Sequence, residues 1–244
     1  MTTAQRNAIV SPAGGLVIFN TDEKALNVYA GTSWESLKPE PSFVCGLTIT
    51  VNHLVSGGVA PVNKTVAYGT ANGIPGETAK CWITSNLGAN HQASAVDDAT
   101  EASAGWYWQF NRKQGFKNDG STITPAWTIS LITEDLDWQA SNDPCTIELG
   151  ADWHLPSNIE WNNVNNSGWF NWNGPWNSGL KLHAAGHLDI NNGVLTAPGI
   201  FGRYWSNTQG DASTGSFLYF SSWECYMTSS YKAYGQTVRC IRNN

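Results

Sequence analysis

Five cysteines, Cys45, Cys81, Cys145, Cys225 and Cys240, are the residues of this sequence best suited to chemistry, as nucleophiles, metal ligands or disulfide partners. No two of them form a C-x-x-C pair, which excludes a zinc ribbon and a thioredoxin-type redox motif. Their odd number leaves at least one thiol unpaired in a monomer. Two disulfides suit an exported protein, and five buried thiols suit a reducing compartment equally. His183 and His187 stand four apart, as two ligands on one helical turn would. Ala184-Ala185-Gly186 between them and the alternating Leu180-Lys181-Leu182 before them favour strand and turn instead. His53, His91 and His154 are isolated and read as hydrogen-bonded structural residues. Asp97 with Asp98, or Asp135 with Asp137, could offer calcium oxygens, but no EF-hand pattern accompanies them. The nucleophile elbow G-x-S-x-G, H-E-x-x-H, the phosphate-binding Walker loop and the dinucleotide glycine fingerprint are absent. No carboxylate pair stands out for glycoside hydrolysis. The sequence nominates no catalytic residue, no metal site and no cofactor.

A different chemistry is concentrated between Tyr204 and Tyr234. This stretch holds five of the eight tyrosines (Tyr204, Tyr219, Tyr226, Tyr231, Tyr234), Trp205, Trp223 and seven serines, with Asp211, Glu224 and Lys232 its only charges. Tyrosine and tryptophan give large, rigid contact area at low entropic cost, and serine adapts its hydrogen bonds, which is the mixture of an antibody paratope. The segment reads as a binding surface. Within it Leu218 and Phe220 share one strand face, directed to the core, and Phe217 and Tyr219 take the other. Trp223 to Tyr234 follows neither a period of 2 nor one of 3.6 and reads as irregular, solvent-facing loop.

Composition agrees with recognition outside the cell. The 244 residues include 13 Lys+Arg against 19 Asp+Glu, a net charge of -6, 13 Trp and 24 Gly. Charged residues are 13% of the chain, about half the usual ~25%. A chain of this length buries roughly 72% of its unfolded surface, enough for a self-sufficient core. An acidic balance without a basic run argues against nucleic acid as a partner. No window approaches the ~18 apolar residues of a membrane helix, so no membrane insertion is expected. Met1 to Val10 lacks the blocks of a signal peptide. A virion or extracellular, cell-surface location is expected.

The elements that must position the segment are mostly strands. Residues 1–40 read as a separate unit, a hairpin of Gly15–Phe19 and Leu26–Ala30 around the turn Asn20 to Lys24. A hairpin alone is marginal, so it must lean on other structure or on copies of itself. Pro39 and Pro41 mark a linker, and residues 41–244 form the main domain. There, strands are expected at Leu47–Val51, Val59–Tyr68, Cys81–Thr84, Ser216–Phe220 and Thr237–Ile241. Helices are few: one over Asp97–Ala104, another from Ser157, where Glu160 completes an S-x-x-E capping box. Asn165–Gly179, rich in Gly, Asn and Trp, reads as loop pinned by aromatic burial.

Gly105-Trp106-Tyr107-Trp108-Gln109-Phe110-Asn111, Asp143-Pro144-Cys145, Trp153-His154-Leu155-Pro156-Ser157 with Glu160-Trp161, Gly202-Arg203-Tyr204-Trp205-Ser206 and Val238-Arg239-Cys240-Ile241-Arg242 follow in order. Over roughly residues 43–244 this resembles the major paralogous domain of gut bacteria and their phages. It also resembles the variable proteins of diversity-generating retroelements, of the major tropism determinant type. The resemblance implies an α+β, C-type lectin-like fold of the formylglycine-generating-enzyme subtype, with a mutable binding surface at about 204–238. It implies framework roles for Leu218, Phe220, Gly235, Val238 and Arg239. Ligand-contacting, variable roles fall on Asn207, Gln209, Asp211, Tyr219, Trp223, Glu224, Tyr226, Thr228, Ser230, Tyr231 and Tyr234. Cys225 falls among them, and the implied disulfides are Cys145 with Cys240 and Cys45 with Cys81. Gln5 to Leu16 resembles a segment found beside tail-fibre and adhesin tips, implying attachment or oligomerisation, for which a trimer would suit.

The sequence departs from related activities in two places. Glu-Pro-Asn, Gln-Pro-Asp and Trp-Asn-Asp, used by calcium-dependent lectins, are missing. Cys225 and Cys240 are too far apart in sequence to match the closely spaced reactive pair of the formylglycine-generating oxidases. The expected protein is a non-enzymatic binder of a cell-surface protein or glycan, with residues 1–40 as its expected means of oligomerisation. The competing readings are a cysteine-using oxidase or other carbohydrate-active enzyme, and a structural virion or surface protein.

Overall fold

The computed structural model describes residues 1–37 and 43–243, and the linker expected at Pro39 and Pro41 lies outside them. The chain divides into two compact units, Met1–Val44 and Cys45–Asn244.

The first unit is a short helix and a three-stranded sheet. Helix α1 (Thr3–Asn7) starts at a capping box in which the Thr2 hydroxyl accepts from the Gln5 backbone N–H and the Gln5 side chain accepts from Thr2. Strands β1 (Val17–Asn20) and β2 (Ala25–Tyr29) pair antiparallel, and β3 (Trp34–Ser36) extends the expected hairpin to three strands. Three residues are too few to display alternation, so β3 left no periodic signal in the sequence. Register places Val17 opposite Val28 and Phe19 opposite Leu26 on one face. The other face carries buried Asn20 and Asn27. Asn20 Nδ2 donates to Asn27 Oδ1 at 2.9 Å, and Arg6 Nη1 donates to Asn27 Oδ1 at 2.8 Å and Glu23 Oε1 at 3.0 Å. The inward face of this small sheet is thus held by polar bonds, and its apolar face is open: Val17, Phe19 and Leu26 are exposed.

The second unit is α+β, mostly short strands and loops. Along the chain run β4 (Ile49–His53), β5 (Lys64–Tyr68), β6 (Thr70–Ala71), β7 (Lys80–Ile83), α2 (Glu101–Ala104), β8 (Tyr107–Trp108), β9 (Gly115–Asn118) and β10 (Ile123–Thr124). There follow α3 (Pro144–Leu149), β11 (Trp153–His154), α4 (Asn158–Asn165), α5 (Asn173–Asn177), β12 (His187–Leu188) and β13 (Leu195–Thr196). The last five strands are β14 (Gly202–Gln209), β15 (Thr214–Phe220), β16 (Cys225–Tyr231), β17 (Gln236–Thr237) and β18 (Ile241–Asn243). The main sheet has the order β10-β9-β8-β17-β14-β15-β16, and β11-β18-β7-β6 form a second.

The core lies between one face of β14–β16 and a cover of α4, β7, β18 and the Trp169 to Leu182 segment. Trp82, Trp161, Val164, Trp169, Leu180 and Leu182 pack there against Tyr204, Leu218, Phe220 and Ile241. Truncating an aromatic in such a place costs about 3–5 kcal/mol. Helix α4 begins where the sequence places it: Ser157 Oγ accepts from the Glu160 N–H, and the Glu160 carboxylate accepts from Ser157. Trp161 and Val164 then share its inward side, and Trp161 Nε1 donates to Trp205 O at 3.1 Å, tying helix to sheet. Gly202 is required opposite Phe220, because a Cβ there would sit 2.1 Å from the ring. Both implied disulfides are formed, Cys45–Cys81 and Cys145–Cys240.

Several expected elements are corrected. The helix expected over Asp97–Ala104 is confined to Glu101–Ala104, because the Asp98 carboxylate folds the chain ahead of it by accepting from the Ser94 and Thr100 N–H groups. Val59–Ala60 is buried but not in a strand, and only Lys64–Tyr68 pairs. Thr237–Ile241 is not one strand: β17 ends at Thr237 and β18 starts at Ile241, each serving a different sheet. Asn165–Gly179 contains α5, with Trp169 buried as expected of a pinned segment. The largest correction is Trp223 to Tyr234. Cys225–Tyr231 is a regular strand, paired residue for residue with β15 from Phe220↔Cys225 to Thr214↔Tyr231.

Candidate functional site

The expected binding segment folds into the last three strands of the main sheet, with β16 as its edge. Side chains alternate across the sheet, so register decides which residues meet. Tyr204, Leu218 and Met227 lie in one row on the inner face, and Phe220 and Cys225 pair beside them. The outer face carries the row Arg203, Tyr219, Tyr226, then Phe217 with Thr228, then Gly215 with Ser230. The core beneath runs out along β16: Cys225 is buried, but Ser229 and Tyr231, also at inward positions, are exposed. An edge strand wetted on both faces over half its length shows no period of 2, which is why β16 read as loop.

The outer face is aromatic. Tyr219 packs against Tyr226 with ring centroids 5.2 Å apart and against Phe201 at 5.6 Å. The Arg203 guanidinium lies 5.5 Å from the Phe217 ring centre and 5.9 Å from that of Tyr234. Burial lowers its pKa, opposed by the nearby Tyr234, Tyr219 and Tyr226. Beside it opens a cleft of about 600 Å³ lined by Arg203, Asp211, Ser213, Thr214, Phe217, Ser229, Ser230, Tyr231 and Tyr234. Its volume is in the range of small-ligand sites, roughly 300–1,000 Å³.

The residues nominated by sequence are divided among several places. Tyr219, Tyr226, Thr228 and Ser230 share the outer face, and Asp211, Tyr231 and Tyr234 complete the cleft at the far end of β16. Trp223, 69% exposed, and Glu224 stand at the opposite end, in the β15–β16 turn. Seven strand residues separate the two ends, about 20 Å at the rise of a β-strand. Asn207 and Gln209 serve the scaffold. Asn207 O accepts from the Trp138 N–H, and Gln209 donates from its backbone to Asp137 at 2.8 Å and from Nε2 to Asp135 at 2.9 Å. The Asp211 carboxylate accepts from the Ser213 and Thr214 N–H groups, bonds that hold its pKa below the usual value and close the β14–β15 turn.

Three members of the segment are core instead of surface. Tyr204 and Trp205 are fully buried, as their place in the inner row and beside Phe110 requires. Lys232, counted among the exposed charges, is also enclosed: Nζ donates to Glu134 O at 2.6 Å and Gln209 Oε1 at 3.0 Å and lies over the Phe110 ring. Arg203 was missed as a site residue because its value comes from neighbours remote in sequence. Cys225 is a buried thiol whose pKa burial pushes up to about 12. Among the described residues no group of three or more His, Cys, Asp or Glu side chains is placed to hold a metal ion. No described helix is long and apolar enough to cross a membrane.

His183 supplies a testable electrostatic feature beneath this face. It is enclosed, neither ring nitrogen has a hydrogen-bond partner among the described residues, and burial with the charge of Arg239 lowers its pKa from 6.5 to about 3. The fold keeps it neutral, and the unfolded chain takes up a proton below pH 6.5. Its contribution to stability is therefore full above pH 6.5 and is lost as pH falls toward 3, by about 2 kcal/mol at pH 5. Urea unfolding at pH 7.5 and pH 5 should show His183→Leu losing less stability on acidification than the parent, by that amount. Equal losses would mean that the histidine is not desolvated.

No curated protein matches the chain. Residues 1–52, spanning the first unit and the first strand of the second, match the family model described as a phage tail like trimerisation region, so the chain begins with a phage tail-like segment.

Proposed function

We propose that this chain is a receptor-binding protein of the phage tail-fibre kind. Its first unit joins three copies, and its second, a C-type lectin-like domain, presents the outer face of β16 and the adjoining cleft to a protein or glycan on a cell surface. The observation that carries the reading is the exposed aromatic and hydroxyl surface along β16: Tyr226 on the outer face is 42% exposed and Tyr231 at the end of the strand 56%, while the inner face under Tyr204, Leu218 and Phe220 is closed in the core. Rigid strands hold contact residues more exactly than loops do. Outer positions such as Tyr226, Thr228 and Ser230 contribute little to the core, so they tolerate replacement, as a retroelement-diversified surface at about 204–238 demands. The match to a phage tail like trimerisation region supports both the virion location and the assembly.

The reading is non-enzymatic. The two sulfurs that a cysteine-using oxidase would need are a buried thiol held protonated at Cys225 and a disulfide partner at Cys240.

The test is binding of the full chain to its host cells. Tyr226→Ala and Tyr231→Ala should each weaken binding about 30-fold, the effect of a hot-spot residue, and move the melting temperature by no more than about 2 °C. Intact binding in both variants would exclude this face as the contact surface. A large loss of stability would make the tyrosines structural.

A further inference from the structure

We propose that Arg203 anchors a carboxylate-bearing sugar, so that the cleft at the far end of β16 is a site for acidic glycans. The inference rests on the reading of β14–β16 as the recognition face and adds the chemistry of the ligand.

Arginine presents five N–H donors in a planar fork suited to a carboxylate. The Arg203 side chain donates to no protein acceptor among the described residues, its Nε is closed off without a partner, and none of the ion pairs includes it. Its position is nonetheless supported, because the guanidinium lies over the rings of both Phe217 and Tyr234. A half-buried cation with its fork unused and its side chain already ordered offers a strong, pre-organised contact to an incoming anion. Asp211, the acid on the same cleft, is engaged with the backbone N–H groups of its own turn. The cleft thus pairs one uncommitted cation with one committed anion.

The remaining walls choose a sugar over a peptide. Tyr231 is exposed at the mouth and offers a flat ring to the apolar face of a pyranose, and Ser230 offers a hydroxyl to sugar hydroxyls. The lining sets the hydroxyls of Ser213, Thr214, Ser229 and Ser230 beside aromatic rings, the pairing that sugars use, and about 600 Å³ accommodates a short oligosaccharide.

The test uses the full chain with four probes measured by calorimetry: a sialylated oligosaccharide, a uronic-acid oligosaccharide, and the carboxyl-reduced form of each. At least one acid should bind, about tenfold or more tighter than its reduced form, with the preference shrinking in high salt. Arg203→Gln should abolish the preference, and Arg203→Lys should restore only part of it. The salt dependence, together with competition by the free acidic monosaccharide, is measured on the parent protein and does not depend on either variant folding. Equal binding of acid and reduced sugar, binding of acidic peptides alone, or no saccharide binding overturns the proposal. If Tyr226→Ala still weakens cell binding in that event, the recognition face stands and only the acidic-glycan assignment fails.

Discussion

Replacing Arg239 with methionine should lower the unfolding free energy by about 3 kcal/mol or more, the largest single-residue loss expected outside the aromatic core. Arg239 is fully buried and forms no ion pair among the described residues. Its Nη1 donates to Leu180 O at 2.8 Å and Ile83 O at 3.2 Å, and Nη2 donates to Asn86 Oδ1 at 2.8 Å. Methionine fills much of the volume but leaves three buried acceptors unpaired, each costing about 1–3 kcal/mol, offset by relief from burying a charge. Burial lowers the arginine pKa to about 10, so it remains charged at neutral pH. For a chain this long the melting point should fall by about 6–12 °C. Arg239→Lys should recover less than half, because one ammonium cannot span three acceptors on separate segments. A methionine variant as stable as the parent would mean that the cost of burying the charge cancels its bonds. The functional consequence lies in position. Arg239 follows β17 and fastens the end of the proposed recognition segment to β7, to Asn86 and to the Leu180 segment.

How much of this was legible in the sequence depends on the range of the contacts. The Ser157–Glu160 capping box is local, and α4 starts there. The alternation of Leu218 and Phe220 is local too, and both lie in the core. Phe217, on the opposite face, is buried as well, against Trp205, a contact between two strands that no alternation within one strand reports. Strand β16 was lost because an edge strand with a short inner face has no apolar rhythm. Lys232 and Arg203 carry no local mark of their surroundings: one is enclosed by a loop about a hundred residues earlier, the other lies over rings from β15 and the Tyr234 turn. The disulfides came from the order of motifs, which encodes long-range structure that single residues do not. Among the nominated contacts, Tyr226 lies on the outer face and Tyr231 is exposed at the end of β16, while Gln209 is spent on Asp135, Asp137 and Lys232.

The second large effect concerns assembly. Phe19→Asp combined with Leu26→Asp should convert a trimer into single chains, read by light scattering after gel filtration. These two side chains face each other across β1 and β2, next to the Val17–Val28 pair, and form an apolar face that no described residue of their own unit covers. The opposite face is fastened by Asn20, Asn27 and Arg6, so carboxylates on the open face leave the bonds that fold the unit intact. Packing such a face against copies of itself is the way a small sheet without an apolar interior gains stability. Two buried carboxylates per chain would oppose that packing strongly. If three recognition faces engage one cell together, apparent affinity should fall by about 10² to 10⁴ on dissociation, with the affinity of each site for a soluble ligand unchanged. A variant that remains trimeric would place the subunit contact on another surface. One that becomes monomeric yet keeps full cell binding would show that a single face suffices, so that assembly serves attachment to the fibre and not avidity.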